Sequence, residues 1–337
     1  MTIKDLAAQT GYSVGTISRV LNNHPNVSEK ARTAILQAVA ESGFHLNVNA
    51  KNLKQHHTTN VLVLVRGSSN ELFQELLEAI QARMTSTRYD LVVEFIDEND
   101  NEVHRALNLC QEKKPMGIFF LGGHPEHFTA EFGQITVPAV LITNDASRLP
   151  FANLSSVSID DRLAADRAVE SLINMGHRSI AIIGGDRLAS HSGWLRFEGC
   201  KDAFGRHGIN FDPELDYRDV RYSFTDGYQA VRLLLQKRRR FTAIFAAGDV
   251  LAIGAIRALK DHGLKVPEDV SVMGVDGLTM GEFLVPRLST IRQDVETMAC
   301  RSVELLLDAM ENNAPARHET VEFFIERKES IRSLTEE

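Results

Sequence analysis

The short stretch "SVGTISRVLN", residues 13–22, carries side chains that could contact a nucleic acid. As a helix it places Ile17, Val20 and Leu21 on one inner face. The outer face is small and polar, as a helix that enters a DNA groove requires, and its single arginine could donate two parallel hydrogen bonds to a guanine. The outer face and its N-terminal cap consist of Ser13, Val14, Gly15, Thr16, Ser18, Arg19 and Asn22.

A second group of candidate side chains follows two strand-like runs, "VLVLV" at 61–65 and "AVLIT" at 139–143. Open α/β sheets bind ligands in a crevice at the carboxyl ends of their strands, so this group is predicted to line a crevice. Its members are Ser68, Asn70, Phe73, Asn144 and Asp145. Arg66 and Trp194 are further candidates, the latter because an indole face can stack on a sugar ring.

Motifs for catalysis, metals or cofactors are not evident in the sequence. The glycine pairs in "GIFFLGGHPEHF" and "IIGGDRLASHSG" lack both the three-glycine dinucleotide spacing and the lysine of a phosphate loop. The histidines of "GGHPEHF" and "QHH" have no zinc-ligand spacing, and Cys110, Cys200 and Cys300 are scattered singly. We therefore expect a binding protein without a metal or cofactor, and not an enzyme.

Three short helices must position the polar stretch. "TIKDLAAQT" forms the first, Gly11 ends it, and Ser13 caps the second. Ser28 caps the third, whose predicted buried stripe is Ala31, Ala34, Ile35, Ala38 and Val39. This pattern describes a helix-turn-helix unit, although a three-helix cap on an enzyme has the same pattern.

The remaining chain alternates apolar strand-like runs with amphipathic helical stretches. This rhythm predicts parallel sheets with crossover helices, arranged as two doubly wound lobes. The chain is expected to return to the first lobe through "VETMACRSVELLLDAM" and then to the second through "ETVEFFIERKES".

Charge is distributed unevenly along the 337 residues. Residues 1–58 contain six Lys or Arg and three Asp or Glu, a net charge of +3. Because the whole chain has a net charge of −8, the remaining residues carry −11. A basic segment on an acidic body is typical of binding to polyanions. No apolar run is long enough to span a bilayer, and no signal peptide is evident, so a cytoplasmic location is expected.

The sequence resembles the lactose/galactose repressor (LacI/GalR) family of bacterial transcription regulators. The resemblance begins with "TIKDLAAQTGYSVGTISRVLNN" and "VSEKARTAILQAVAESGF". It continues with "NMGHRSIAIIGG", "GWLRFEGCKDAF", "GDVLAIGAIRALKDHGLKVPEDVSVMGVDG" and "PRLSTIRQD". The implied fold is an N-terminal all-α helix-turn-helix headpiece followed by an α/β body of two Rossmann-like, periplasmic-binding-protein-like lobes.

The resemblance also implies domain boundaries. The headpiece is residues 1–45 and a hinge is 46–58. The first lobe comprises 59–157 and 290–317, the second lobe comprises 158–289 and 318–330, and 331–337 form a tail.

The resemblance assigns roles to the polar stretch and to the hinge. Val14, Gly15 and Arg19 are expected to read bases, while Ser13, Thr16 and Ser18 hold phosphates. In "NVNAKNLK", Leu53 matches the leucine that each subunit of a homodimer inserts between base pairs at the operator centre. Before the hinge, Phe44 and Leu46 stand where the family usually has tyrosine and proline.

In the second lobe, the resemblance assigns effector contacts to Arg196 and Asp276. Gly248 stands where the family commonly has asparagine, and the neighbouring Asp249 is the candidate to compensate. Gly277 likewise replaces a common aspartate. The expected partners are pseudo-palindromic operator DNA, a second copy of the chain and a small effector, with a sugar or sugar phosphate ahead of a purine. The alternative is a cytoplasmic sugar-binding or sugar-modifying protein with a helical cap.

Overall fold

A computed structural model describes residues 3–21, 27–42, 59–67, 70–185, 190–236 and 240–335. The chain divides into two compact units, Met1–Thr58 and Thr59–Glu337. Asn22, Leu53 and Ser68, together with the predicted hinge, lie outside the described residues. Among the helices that are described, none has the length and apolar character needed to cross a membrane.

The first unit contains three helices, α1 (Ile3–Thr10), α2 (Val14–Leu21) and α3 (Glu29–Ser42). The two predicted caps are confirmed, because Ser13 Oγ accepts from the Thr16 amide at 3.1 Å and Ser28 Oγ accepts from the Ala31 amide at 3.4 Å. Gly11 has a φ of +72°, the left-handed conformation that turns the chain from α1 into α2.

The core of this unit is formed by one face of each helix. Its buried side chains are Leu6, Ile17, Val20, Ala31, Ile35 and Ala38. The predicted stripe on α3 is wrong at Ala34, which is exposed. Ala31, Ile35 and Ala38 follow the spacing of four and three residues that keeps one face inward, and Ala34 lies beside that line.

The second unit has twelve strands within its described residues. They are β1 (Asn60–Arg66), β2 (Asp90–Ile96), β3 (Gly117–Leu121), β4 (Ala139–Ile142), β5 (Leu154–Ser158), β6 (Ile180–Gly185), β7 (Tyr217–Val220), β8 (Ala243–Ala246), β9 (Ser271–Asp276), β10 (Ser289–Gln293), β11 (His318–Thr320) and β12 (Phe323–Glu326).

Helices connect these strands. They are α4 (Glu71–Met84), α5 (Glu102–Lys113), α6 (Pro125–Glu131), α7 (Asp161–Asn174), α8 (His191–Arg206), α9 (Pro213–Asp216), α10 (Phe224–Gln236), α11 (Asp249–Asp261) and α12 (Val295–Asn312). Two short 3-10 helices lie at Phe132–Gln134 and Thr279–Phe283.

The strands form two six-stranded sheets, one in each lobe. The first has the order β11-β5-β4-β3-β1-β2 and the second the order β12-β10-β9-β8-β6-β7. All neighbours are parallel except β10 and β12, which are antiparallel. The predicted architecture of a helical headpiece and two doubly wound lobes is confirmed.

Both faces of the first sheet are buried, and the sequence of β1 shows why. Val63 belongs to a core with α4, while its neighbours Leu62 and Leu64 belong to a core with α5. Successive strand residues point to opposite faces, so a strand covered by helices on both sides needs a continuous apolar run.

The chain passes between the lobes three times, after β5, after β10 and after β11. Two predicted boundaries are corrected by the strand pairing. Residues 289–293 form β10 beside β9 in the second sheet, and residues 318–320 form β11 beside β5 in the first. Residues 331–335 are not a loose tail, because Ile331 is buried and the Leu334 amide donates to Met175 O at 2.7 Å.

Two glycines on α8 allow a matched test of how closely it packs on α7. A Cβ at Gly199 would lie 2.1 Å from the carbonyl oxygen of Arg162, whereas a Cβ at Gly205 would meet nothing within 4 Å. We expect Gly199→Ala to lower the free energy of unfolding by about 1–3 kcal/mol through overpacking. Gly205→Ala should be neutral or stabilising by up to ~1 kcal/mol. Urea unfolding followed by circular dichroism measures both, and equal midpoints would contradict the close packing.

Candidate functional site

One side of α2 presents the polar stretch singled out in the sequence. Val14 is 41% exposed, and Ser13, Gly15 and Arg19 are exposed as well. Thr16 is half-buried, and its hydroxyl lies 2.9 Å from that of Ser13 at the N-terminal end of the helix. The amides and hydroxyls at such an end favour an anion such as a phosphate. Ser18 is also half-buried and lies about one turn after Val14, the first residue of the helix.

A cleft of about 480 Å³ lies between the two lobes of the second unit. Its walls are the loops that follow β1, β2, β3 and β4 in the first lobe and β6 and β7 in the second. These loops lie at the carboxyl ends of parallel strands, where open α/β sheets bind ligands.

Four of the side chains predicted as candidates for the crevice line this cleft, namely Arg66, Asn70, Phe73 and Asn144. Asn70 also caps α4, since its Oδ1 accepts from the Leu72 amide at 3.1 Å. Asn144 differs because its Oδ1 is buried and has no hydrogen-bond partner among the described residues. A buried acceptor without a donor is costly, so a ligand hydroxyl or amine at this position would stabilise the cleft.

Backbone strain occurs at one strand end in each lobe. Thr143, on the cleft wall after β4, has a φ of +76°, and Asp276, at the end of β9, has a φ of +123°. Positive φ is rare for residues with a Cβ, above all for a β-branched one, and such strain is concentrated at binding sites.

Asp145 and Trp194 do not line the cleft. Asp145 is exposed and accepts from the amide of Ser147 at 2.9 Å. Trp194 is 43% exposed and stacks on the ring of His191, with 6.0 Å between the ring centroids. Since His191 does line the cleft, Trp194 contacts a residue of the wall without lining the cleft itself.

Arg196 and Asp276 lie behind the cleft wall, in a buried ionic network. Arg196 Nε donates to Asp161 at 2.7 Å, its Nη1 donates to the Ala247 carbonyl, and its Nη2 lies 3.7 Å from Asp276. Asp276 also accepts from Gln293 Nε2 at 2.9 Å. Burial raises the pKa of Asp276 to about 6, although the charge of Arg196 lowers it. Burial would lower the pKa of Arg196, and attraction by the two aspartates outweighs that effect and raises it.

Asp249 is completely buried and holds the end of β9 in place. One of its oxygens accepts from the amides of Gly277 and Leu278, each at 2.8 Å, and the other accepts from Thr290 Oγ1 at 2.7 Å. Gly277 has a φ of +76°, and a Cβ there would lie 2.4 Å from Arg292 Cγ. The structure therefore explains glycine at 277, and it places Asp249 away from the cleft.

Several lining residues were missed by sequence reasoning. Arg221 after β7 joins the lobes, since its Nε lies 2.7 Å from Glu98 and its Nη2 lies 3.5 Å from Asp97, both after β2. Tyr222 and His191 form much of the second wall. Burial lowers the pKa of His191, which favours a neutral imidazole. The signal for Arg221 and Tyr222 is weak, because β7, "YRDV", is too short and polar to be recognised as a strand.

The ionic network gives a pH-dependent prediction. Arg196→Ala would leave Asp161 and Asp276 buried without their cation, and breaking such a pair costs about 3–5 kcal/mol. The pKa of both carboxyls is already raised in the folded state, and losing the cation raises it further. A raised carboxyl pKa destabilises the fold above that pKa and is relieved by protonation, so the loss at pH 7.5 should shrink as pH falls through the further raised pKa of the variant toward about 6, the value for Asp276 in the wild type.

Urea unfolding at pH 7.5 and pH 5 measures this effect. Arg162→Ala is the control, since that arginine forms an exposed pair with Asp202, and its loss should change the free energy of unfolding little at either pH. A pH-independent loss in the Arg196 variant would contradict the network.

Comparison with known proteins agrees with both units. Residues 2–47 match the family model for bacterial regulatory proteins of the lacI family, and residues 169–330 match a periplasmic binding protein-like domain. The chain is 36% identical over 321 residues to the HTH-type transcriptional regulator MalR of Clostridium butyricum, covering 94% of this chain and 95% of MalR.

Solved structures show the same architecture. The lac repressor dimer bound to operator and the anti-inducer ONPF superposes with a TM-score of 0.79 at 26% identity, covering 98% of this chain and 99% of that one. The transcriptional regulator CelR in complex with cellobiose gives a TM-score of 0.71 at 26% identity, with the same coverage. The fold, the helix-turn-helix unit and near-complete coverage by a relative of this identity agree, and the chain belongs to the lacI family of bacterial regulatory proteins.

Proposed function

We propose that the chain is a homodimeric transcription repressor that binds a pseudo-palindromic operator and is controlled by a small sugar in the cleft. The observation that carries the effector site is the buried acceptor of Asn144, in the cleft between two lobes of a lacI-family body, which has no hydrogen-bond partner in the part of the chain that the structure describes. On this proposal the protein acts in the cytoplasm and is not an enzyme. The experiment is operator binding by fluorescence anisotropy, with and without each member of a sugar library.

The charges in the cleft favour an uncharged effector over a sugar phosphate. Four carboxylates and two guanidiniums line its described part, namely Asp97, Glu98, Asp219, Asp226, Arg66 and Arg221. Arg221 is paired with Glu98 and Asp97, and Arg66 Nε lies 3.6 Å from Glu102. A phosphate would thus meet net negative charge, while the hydroxyls of a sugar could donate to these carboxylates. The cellobiose bound by CelR supports a sugar as the ligand class.

Arg196, Asp249 and Asp276 have a supporting role in this proposal. Their charges are satisfied inside the second lobe, so they fix the loops that carry the cleft wall. Direct effector contact is proposed for Asn70, Phe73 and Asn144, and not for Asp145 or Trp194.

A second copy of the chain is the proposed partner for an apolar surface on the second lobe. Phe283 and Val285 are 80% and 93% exposed, and Met280 beside them is 46% exposed. Large apolar side chains grouped on a surface usually mark an interface. The lac repressor that matches nearly the whole chain is a dimer.

The rival function is a sugar-binding or sugar-modifying protein with a helical cap. It predicts sugar binding without operator binding. A gel shift on the promoter beside its own gene, together with heparin retention, separates the two functions.

The first prediction for DNA binding concerns Arg19. Arg19→Ala should flatten base preference at one position of each half-site, because a bidentate contact to guanine discriminates by roughly 1–3 kcal/mol. Lys30→Ala, an exposed cation on α3, should weaken binding similarly on all sequences. Selection from a randomised operator pool measures both variants. An unchanged preference after loss of Arg19 would rule out α2 as the reading helix.

The second prediction concerns Leu53, for which the proposal rests on sequence alone. Leu53→Ala should reduce operator affinity far more than affinity for random DNA, because a wedge acts only where the central step can kink. Circularly permuted operator fragments should also bend less. Equal loss on both DNAs would contradict insertion.

The third prediction concerns the effector. Asn144→Ala should abolish the sugar response and leave sugar-free operator affinity within a few-fold, because Asn144 lies in the cleft. Asn312→Ala, on an exposed amide at the end of α12, is the matched control and should respond normally. Anisotropy titrations with and without sugar test this, and an intact response in the Asn144 variant would refute the site.

A further inference from the structure

A completely buried carboxylate, Glu102, lies behind the first-lobe wall of the cleft. It is the first residue of α5 and does not line the cleft itself. Its Oε1 accepts from the amide of His124 at 2.6 Å, and its Oε2 lies 2.8 Å from Nδ1 of His127. Glu102 therefore joins the start of α5 to the loop after β3 and to α6.

These two hydrogen bonds do not require a charge. A glutamine at 102 could accept from the His124 amide through its carbonyl oxygen and donate to His127 Nδ1 through its amide nitrogen. A buried carboxylate costs more free energy than a buried amide unless a cation compensates it. The negative charge of Glu102 therefore indicates a cationic partner.

Arg66, at the end of β1, is a cation in the right place. Its Nε lies 3.6 Å from Glu102 Oε2, its side chain is 11% exposed, and it lines the cleft. Burial raises the pKa of Glu98 on the same wall, and the charge of Arg66 is among the effects that lower it. The guanidinium of Arg66 thus acts on the cleft, while the carboxylate that compensates it lies behind the wall.

Without that carboxylate, the wall would attract anions. Guanidinium groups bind phosphate oxygens through parallel N–H donors, and loops at the carboxyl ends of parallel strands are where α/β sheets bind ligands. Charges in a partly buried site are also screened less than charges on the surface. The charge of Glu102 consequently decides whether Arg66 can capture a phosphate.

We propose that Glu102 is a positioning residue that determines specificity, because it holds Arg66 from behind the wall and compensates its charge, so that the cleft accepts neutral sugars and rejects sugar phosphates. Arg66 can still donate hydrogen bonds to sugar hydroxyls, but a phosphate gains little net attraction from a guanidinium that is already paired. The effector class rests on the proposed function, whereas the compensation of Arg66 by Glu102 does not.

Compensation can be tested with inorganic phosphate, by isothermal titration of the full chain. Glu102→Gln keeps the shape of the side chain and both hydrogen bonds, so it should bind phosphate at least tenfold more tightly than the wild type. Adding Arg66→Gln should abolish this gain, because the effect acts through the guanidinium. Phosphate bound by the headpiece should be the same in every protein, so the difference between proteins is the measure.

Glu94→Gln is the matched control. Glu94 pairs with Arg105 in the same lobe, and neither residue lines the cleft, so this variant should bind phosphate as the wild type does. Equal phosphate affinity in the wild type and in folded Glu102→Gln would overturn the proposal. A gain that persists after Arg66→Gln is added would overturn it as well.

Urea unfolding at pH 7.5 tests the same pair without phosphate. Arg66→Gln alone leaves Glu102 buried without its cation and should lower the urea midpoint. Adding Glu102→Gln should raise the midpoint again, because no uncompensated charge remains. A double variant no more stable than Arg66→Gln would overturn the proposal.

Selection between sugars is tested with glucose and glucose 6-phosphate as probes. The ratio of glucose 6-phosphate to glucose affinity should rise at least tenfold in Glu102→Gln and stay at the wild-type value in Glu94→Gln. An unchanged ratio in Glu102→Gln, including no binding of either sugar, would overturn this selection. Operator anisotropy on the same samples distinguishes the two levels, since failure of the wild type to bind operator contradicts the proposed function and leaves the phosphate result unaffected.

Discussion

The guanidinium of Arg196 connects separate segments of the second lobe, and the wall that this lobe gives to the cleft depends on it. It donates to Asp161 at the start of α7 and to the carbonyl of Ala247 after β8, and it faces Asp276 at the end of β9. A buried charge is tolerated only when its partners are held in place, so the three segments cannot move independently. Asp249 extends the same constraint to β10 through Thr290. The strained φ of Asp276 persists because these contacts hold it on both sides.

A ligand in the cleft contacts residues of both lobes, and polar contacts also join the lobes across the opening. Arg221 reaches Glu98 and Asp97 across the opening, and the amide of Thr279 donates to Glu75 at 3.1 Å. The lobes are joined by three chain crossings, where hinges between domains usually lie, so a change in their mutual angle would be absorbed there. A sugar that prefers one angle ~100-fold supplies about 2.7 kcal/mol per site. Two sites in a dimer double that figure, which is enough to change operator occupancy substantially.

The sequence predicts the parts of this molecule that local chemistry determines. The capping serines, Ser13 and Ser28, depend only on residues three positions away, and strands such as β1 and β3 are long apolar runs covered on both faces. The edge strands β7 and β11, "YRDV" and "HET", have too few apolar residues to be recognised, and pairing with a neighbour makes them strands. The position of the Tyr222 ring requires glycine at 185 and 248, where a Cβ would lie 2.6 Å and 2.8 Å from it. The burial of Arg196 depends on partners from three separate segments. Residue spacing in the sequence shows neither contact. The sequence therefore predicts a cleft at the ends of the strands, but it does not predict the residues of the inner wall.

The repeated passage between lobes constrains how the protein is made on the ribosome. Five strands of the first sheet have been made when the chain reaches Ser158. The sixth strand begins at His318, and the helix that covers the sheet begins at Val295. Every residue of β6 to β10 must therefore leave the ribosome before the first lobe can close, and until then the edge of β5 is open to wrong partners. The three-helix headpiece has no such delay. A stop codon between β10 and β11 would consequently leave a chain with a complete headpiece and two unfinished lobes.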